Sequence, residues 1–207
     1  MDTNDSNSKI DQPVNGWDQE IWQAYFTHPN DPIKWSTGDW GGNNGGNVFH
    51  DLTEGGHSIT KQDRLDISGN LQVKFMDGLL WNTIIGGSLV NTNLTQEYKT
   101  ILRYSVQPDV VIGKAHFPNS LNRQATRKLY RNIQSYLTYN KTLSTHDLRV
   151  MLGASYEDSG TDVFFGKRQE YLSNDMMNSL DLGVGDQYSG GDLTEWGISV
   201  SYTHLRA

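Results

Sequence analysis

A chain of 207 residues is long enough for one ordinary domain, yet only 35% of its residues are apolar and its mean hydropathy is -0.62. The long Val/Ile/Leu runs of a buried parallel sheet are missing, which argues against an α/β core. A net charge of -7 without a Lys/Arg cluster argues against a nucleic-acid partner, and the lack of cysteine excludes disulfide scaffolds and thiolate metal sites.

The first segment, residues 1–58, is predicted to be an irregular loop segment rich in Gly and Asn. A short pattern around DQEIWQAYF is compatible with two turns of helix. The amino end lacks the basic and apolar regions of a signal peptide, and no run of about 18 apolar residues predicts a transmembrane helix. We therefore expect either a cytosolic protein or a chain whose true beginning is missing.

Three tryptophans in this segment are the only candidates for substrate binding, because flat aromatic rings can stack on sugars. They are Trp17, Trp35 and Trp40. The alternative is that these rings pin the segment to the rest of the fold, and exposed loop aromatics are usually anchored. The sequence favours the structural role slightly.

A β-hairpin is predicted from residues 59–76 and 80–93 around the turn pair Asp77-Gly78, which favours positive φ. In its first strand, apolar and polar residues alternate, so the strand has an apolar side and a polar side. The apolar side holds Leu65, Ile67, Leu71, Val73 and Phe75, and the polar side holds Asp66, Ser68, Asn70, Gln72 and Lys74.

A second hairpin is predicted from residues 127–142 and 146–158, with His146 in its turn, and a last strand from 195–202. Its apolar residues are Leu129, Ile133, Leu137, Leu148, Val150 and Leu152, and its polar ones include Asn132, Gln134 and Thr138. In the last strand Trp196, Ile198, Val200 and Tyr202 alternate with small polar residues. Long loops are predicted at 94–126 and 159–194.

Strands of about 12 to 15 residues are longer than the usual 5 to 6 of soluble sheets. Together with the alternation of short turns and long loops, they favour an all-β, antiparallel up-and-down meander that forms part of a transmembrane β-barrel. Four aromatic residues near the strand ends fit the aromatic girdles of such barrels, although strands favour aromatics in any case. They are Phe75, Trp81, Tyr139 and Tyr156.

The sequence contains no recognisable motif for catalysis, a cofactor or a metal ion, so it predicts no enzyme, no cofactor and no metal site. GGNNGG lacks the lysine and following helix of a phosphate loop. DTNDSNS lacks the glycine and the terminal glutamate of a calcium loop. Three loop acids could be imagined as a glycosidase pair, but a solvated loop face is the simpler interpretation. They are Asp158, Asp162 and Glu170.

Three blocks of sequence resemble the SusC/RagA-like TonB-dependent outer-membrane transporters. YNKTLSTHDLRVMLGASYED (139–158) is similar to a strand end, turn and strand of that family, with Tyr139, His146, Gly153 and Glu157 at matching places. GGNVFHDLTEGGHSITKQDRLDISGNLQVKF (45–75) and GGDLTEWGIS (190–199) are similar to two further blocks. The signal peptide and plug domain that precede the family's barrel are absent, and the tail 203–207 looks non-native.

The resemblance implies a slice, residues 59–202, of a barrel of roughly 22 strands. It implies import of oligosaccharides or peptides, an outer-membrane lipid environment, a SusD-like surface lipoprotein as a cap, and the TonB complex as energy source through the missing plug. The apolar residues would then face lipid, and Asn70, Gln72, Asn132, Gln134 and Thr138 the lumen. The alternatives are a soluble β-sandwich carbohydrate-binding module and, more weakly, a secreted glycoside hydrolase domain.

Overall fold

A computed structural model describes residues 7–26, 30, 32–41, 47–105, 110–143 and 146–206 of the chain. Most of DTNDSNS and of GGNNGG, the second turn at 144–145 and Ala207 lie outside the described residues. The suggestion that the tail is non-native stays a prediction, although the last strand continues through Arg206.

The architecture is one antiparallel sheet of six strands with a separate two-stranded hairpin. The long strands follow one another along the chain as an up-and-down meander, so the predicted fold class is confirmed, and the described strands do not close into a barrel. The strands are β1 Asn7–Pro13, β2 His57–Met76, β3 Leu79–Tyr98, β4 Ile101–Tyr104, β5 Val111–Ala115, β6 Ser120–Leu143, β7 His146–Gln169 and β8 Gln187–Arg206. The sheet order is β1-β2-β3-β6-β7-β8, and β4 pairs with β5.

Two α-helices lie in the segment that was predicted to be irregular: α1 Trp17–Phe26 and α2 Val48–Glu54. The first confirms the short helical pattern around DQEIWQAYF, and Asn47 caps the second by accepting a hydrogen bond from the His50 amide. β1 also falls in this segment and pairs with the start of β2, so the sheet begins at Asn7 rather than near residue 59. Neither α-helix in the described ranges has the length and apolar character needed to cross a membrane.

The four central strands are 20 to 24 residues long, well beyond the predicted ranges. The predicted loops 94–126 and 159–194 are too long, because β3, β6, β7 and β8 all extend into them. Apolar residues in these outer parts do not alternate with polar ones, as the run Val163 to Phe165 on β7 shows, so no one-sided hydrophobic pattern marks them as strands. Main-chain pairing with the neighbouring strand continues there without interruption.

Tight turns and long connections lie at opposite ends of the sheet. Asp77 and Gly78 join β2 to β3, and Gly78 has the positive φ of 86° that this turn requires. The connections 14–56, 99–119 and 170–186 all lie at the other end, which we call the loop end. The predicted alternation of short and long connections is therefore confirmed.

The pairing registers align the apolar residues of four strands on one face of the sheet, which we call the apolar face. Val73 pairs with Trp81, Trp81 with Leu137 and Leu137 with Leu152. The next face-sharing positions toward the loop end include Ile85 opposite Ile133. The apolar residues predicted for β2, β6 and β7 share this face, and Asn70, Gln72, Asn132, Gln134 and Thr138 share the other, polar face. The last strand differs, because its register places its alternating apolar set at positions of the polar face, as in the pairing of Val200 with Ser155. These residues are Trp196, Ile198, Val200 and Tyr202.

Exposure of the two faces is the reverse of that in a soluble sheet. Leu71 is 54% exposed and Ile133 is 42% exposed, so no second layer of the described chain covers the apolar face. Along β7 the apolar-face residues Leu152 and Tyr156 are exposed, whereas Gly153 and Ser155 between them are half-buried. On the polar face Asn82 and Thr138 are buried. The apolar face is therefore the convex one.

The height of the apolar face matches a bilayer. Phe75 lies ten residues after Leu65, which is about 34 Å along an extended strand and about 26 Å in height at a tilt of about 40°. Outer-membrane barrels carry an outward apolar band about 25 Å tall. At the tight-turn end, the Phe75 and Trp81 rings stack with centroids 6.3 Å apart, where a lower aromatic girdle is expected.

Candidate functional site

The loop end holds the buried part of the molecule. The buried hydrophobic side chains of the described residues are Val14, Ile101, Leu121, Tyr171 and Met177, and each lies in a connection or at the adjoining end of a strand. Amide side chains tie the connections together. Asn174 donates to the Thr100 carbonyl at 2.8 Å, and Asn119 accepts from the Tyr171 amide at 2.8 Å. A fixed surface therefore exists at this end, on which a site can be built.

A polar cavity of about 390 Å³ lies between α1, α2 and the β4–β5 hairpin. Its walls include Asn15, Gln19, Asp51, Tyr98, Arg103 and His116. A second cavity of about 250 Å³ shares Tyr98 and His116 with it and extends along the polar face past Gln96 and Asn122. The Asn122 amide donates to Gln96 at 2.9 Å across β3 and β6. The two cavities thus form one polar recess that begins on the polar face of the sheet.

Charged groups lie in and beside the wall of this recess: Asp51 and Arg103 line it, and Glu20 lies close to both without lining it. Asp51 is buried on α2, and the Arg103 Nη2 atom lies 3.4 Å from each of its carboxylate oxygens. Glu20 is buried on α1, where its Oε1 accepts a hydrogen bond from the Asn15 amide at 3.0 Å. Neither Glu20 Oε2 nor Arg103 Nε has a hydrogen-bond partner among the described residues.

Electrostatics perturb two groups here. Burial raises the pKa of Glu20 above its ordinary value; the Asn15 hydrogen bond opposes this effect, and the neighbouring Asp51 charge adds to it. Burial lowers the pKa of His50, although its contact with Glu54 works in the other direction. Both shifts arise because a titratable side chain is buried away from water. Residues with pKa values perturbed in this way cluster at functional sites.

His116 stands in an unusual backbone conformation at the junction of the two cavities. Its φ is 53°, a region that non-glycine residues seldom adopt. Its ring nitrogens lie 3.0 Å from Asn15 Oδ1 and 3.3 Å from the Lys99 carbonyl, and the Thr100 hydroxyl donates to its own carbonyl at 2.8 Å. Surrounding contacts therefore hold the residue in a costly conformation, as is common at binding sites.

Two of the three candidate tryptophans make anchoring contacts. The Trp35 indole donates to the Tyr104 carbonyl at 2.9 Å, and the Trp40 indole donates to Glu54 at 2.9 Å. The Trp40 ring also stacks on His50 at 4.6 Å and lies beneath the Lys34 ammonium at 4.1 Å. Trp17 opens α1 and is 53% exposed. Substrate binding by the three stays a prediction, and none of them lines the polar recess.

Two of the three acids that were predicted to lie in loops, Asp158 and Asp162, lie on β7 instead and are not placed as a hydrolase pair. Asp158 accepts from the Arg131 Nε atom at 2.7 Å on the apolar face, and Asp162 lies four residues away on the same face. Four extended residues separate them by about 13 Å, beyond the roughly 5 to 9 Å that glycoside hydrolysis needs. Glu170 follows the end of β7 and is exposed. Within the described ranges, no group of three or more His, Asp or Glu side chains is arranged to hold a metal ion.

Comparison with known proteins gives a match of fold and none of sequence. No protein-family model and no curated protein sequence matches the chain. The solved structures that are similar to it include the RagAB peptide transporter, with a TM-score of 0.61, 17% identity and coverage of 76% of this chain and 16% of that chain. The RagAB peptide importer in an "open-open" state is similar with a TM-score of 0.61 and 15% identity, and the match covers 77% of this chain and 17% of that chain.

The chain therefore has the fold of part of the RagAB transporter and spans about a sixth of those chains. The resemblance to SusC/RagA-like proteins is confirmed at the level of fold. Its structural neighbours are transporters rather than enzymes. The polar recess could not be predicted from the sequence, because its residues come from four separate segments without periodicity. They are Asn15, Asp51, Arg103 and His116. The one local signal nearby was a charged residue, Glu20, among the aromatic residues of α1.

Proposed function

We propose that this chain is part of the barrel of an outer-membrane importer. Its apolar face contacts lipid, its polar face borders the passage, and its loop end faces the outside of the cell. The convex, uncovered apolar face, about 26 Å tall, is the observation that carries the proposal. In water such a patch would be an aggregation surface, because monomeric soluble proteins rarely expose contiguous apolar areas of this size.

The likeness to the RagAB peptide transporter supports the proposals for cargo, energy source and partners. The imported substrate is a peptide or an oligosaccharide, and no covalent chemistry acts on it. A SusD-like surface lipoprotein caps the loop end, and the TonB complex drives import through a plug that lies outside this chain. The polar recess at the loop end supports a role in first contact with cargo, since pockets with a few convergent polar groups are the default binding sites.

A β-sandwich binding module would need two sheets with their apolar faces packed together. Among the described residues the second sheet consists of β4 and β5, nine residues in all, and it lies at the loop end rather than over Leu71. Nothing in the described part of the chain favours this alternative.

Single-cysteine labelling tests the proposal in the intact protein that contains this chain. The chain has no cysteine of its own, so Leu71→Cys and Asn70→Cys give a matched pair of adjacent exposed residues on opposite faces. In isolated outer membranes, we expect a small water-soluble maleimide to modify Asn70→Cys at least about tenfold faster, because thiols in hydrocarbon stay protonated and out of contact with the reagent. Protein unfolded in detergent should label equally at both positions, and the unsubstituted protein measures background. Equal labelling in the membrane, or recovery of the protein in the soluble fraction, would refute the proposal.

A further inference from the structure

The second cavity of the polar recess carries a positive charge without a counter-ion. The half-buried Lys167 lies in its wall, and none of the described residues that line it is an Asp or a Glu. Within the described ranges, the Lys167 ammonium has neither an ion pair nor a hydrogen bond. At the rim, the Lys114 ammonium lies 4.6 Å from the centre of the Phe117 ring, which also lines the cavity. A lysine that is partly removed from water is normally paired, so the Lys167 ammonium has an open position for an anion.

The other charged side chains around Lys167 cancel one another. In the first cavity, Arg103 lies 3.4 Å from Asp51, so this pair adds no net charge. On its other side Lys167 borders a third cavity, of about 220 Å³, whose remaining charged residues are Arg168 and Asp181. These two also carry opposite charges. The net charge around the second cavity is therefore that of Lys167, and it favours an anionic ligand over a cationic one.

Neutral hydrogen-bond donors accompany the ammonium. The pairing register places Asn122 opposite Lys167. Ser120 and Gln169 form the next pair on the polar face toward the loop end, and they line the second cavity as well. Asn122 donates one amide N–H to Gln96 at 2.9 Å, which fixes its side chain and leaves a second N–H. One ammonium with neutral donors matches the single charge of a carboxylate better than the nearly double charge of a phosphate.

We propose that the second cavity is a subsite for a carboxylate group of the imported cargo. The Lys167 ammonium binds the carboxylate, and Ser120, Asn122 and Gln169 add hydrogen bonds to its oxygens. This inference rests on the proposed import function and adds that the cargo carries negative charge. The carboxylate belongs either to the carboxyl terminus of a peptide or to an acidic sugar, and both supply the same chemistry. Because the cavity lies on the polar face at the loop end, cargo meets it at the entrance of the passage in the proposed orientation.

Isothermal titration of the intact protein that contains this chain, in lipid nanodiscs, tests the subsite with two pairs of probes. The first pair is N-acetyl-tetra-alanine and its carboxyl-terminal amide, and the second is trigalacturonate and its methyl ester. We expect the carboxylate form to bind about tenfold more tightly than its neutral partner, corresponding to one charge-assisted hydrogen bond. A preference in both pairs would assign the subsite to any carboxylate, and a preference in one pair would assign it to that source. Equal binding within both pairs, or no binding of any probe, would overturn the subsite.

Lys167→Met and Lys128→Met form a matched pair, because both lysines lie on the polar face and Lys128 lines none of the three cavities. Lys167→Met should abolish the preference for the carboxylate form, whereas Lys128→Met and the charge-conserving Lys167→Arg should keep it. A denaturant titration checks that each variant is folded. A preference that survives Lys167→Met, or that Lys128→Met removes as well, would contradict the assignment of the subsite. The labelling of Leu71 and Asn70 is independent of these results and tests the import proposal separately.

Discussion

Replacing Leu71 by arginine is the most direct test of what the apolar face touches. Leu71 is four residues from Phe75 and six from Leu65, which places it about 10 Å and about 16 Å in height from the two ends of the apolar band. It therefore lies near the centre of the bilayer in the proposed orientation. An arginine at the midplane of an outer-membrane barrel costs about 2 to 4 kcal/mol. In water the same substitution at a 54% exposed site would be within about 0.5 kcal/mol of neutral.

The assay is reversible unfolding of the intact barrel from phosphatidylcholine vesicles in guanidinium chloride, followed by tryptophan fluorescence. Asn70→Arg is the matched control, because it is the adjacent residue on the same strand and faces the passage. We expect Leu71→Arg to lower the free energy of unfolding by about 2 to 4 kcal/mol and Asn70→Arg by less than about 1 kcal/mol. Equal losses for the two variants, or a larger loss for Asn70→Arg, would show that the assignment of faces is wrong.

Three further predictions follow from individual contacts. Replacing Arg131 by leucine leaves the largely buried Asp158 carboxylate unpaired on the apolar face, so it should cost about 3 to 5 kcal/mol in the same vesicle assay. Adding Asp158→Leu should restore the stability, and a double variant as unstable as the single one would contradict this. Gly78→Ala should cost about 1 to 3 kcal/mol, since φ is 86° and a Cβ atom would collide with the Asn140 carbonyl, whereas Gly69→Ala, with open space around it, should be neutral. Burial lowers the pKa of His50, so the stability it contributes is complete above its ordinary pKa near 6.5 and is lost as pH falls through the depressed value. The hydrogen-exchange protection factors of α2, which correct for the intrinsic pH dependence of exchange, should fall on acidification in the wild type and stay level in His50→Gln.

Much of the sheet could be predicted because its physical cause is local in sequence. A strand with unlike faces must alternate, and a two-residue turn must contain a residue that tolerates positive φ. Leu65 to Phe75 and the Asp77-Gly78 pair satisfy both conditions, so the first hairpin and the sharing of one face by the apolar residues were predictable. The outer parts of β6 and β7 were not, since their apolar residues, such as Leu121 and the run Val163 to Phe165, do not alternate with polar ones.

The loop end could not be predicted because its contacts join residues that are far apart in sequence. Asn174 binds Thr100 across 74 residues, and Arg103 pairs with Asp51 across 52. Each of these residues looks like an ordinary loop or strand position until the meander brings the three long connections to the same end of the sheet. The predictable strand topology thus determines where the candidate site lies. Which residues form the site depends on long-range contacts that no periodicity in the sequence encodes.

The length of the strands sets the distance between the apolar band and the loop end. Strands of 20 to 24 residues rise about 50 to 60 Å at a tilt of about 40°, roughly twice the height of the apolar band. In the proposed orientation, the surplus carries the recess and the buried Asp51 beyond the hydrocarbon of the bilayer. If the strands ended at the bilayer surface, α1 and α2 would lie at headgroup level, and their buried acids would repel the anionic groups there. In the proposed orientation, the extra strand length therefore keeps the polar recess clear of the lipid.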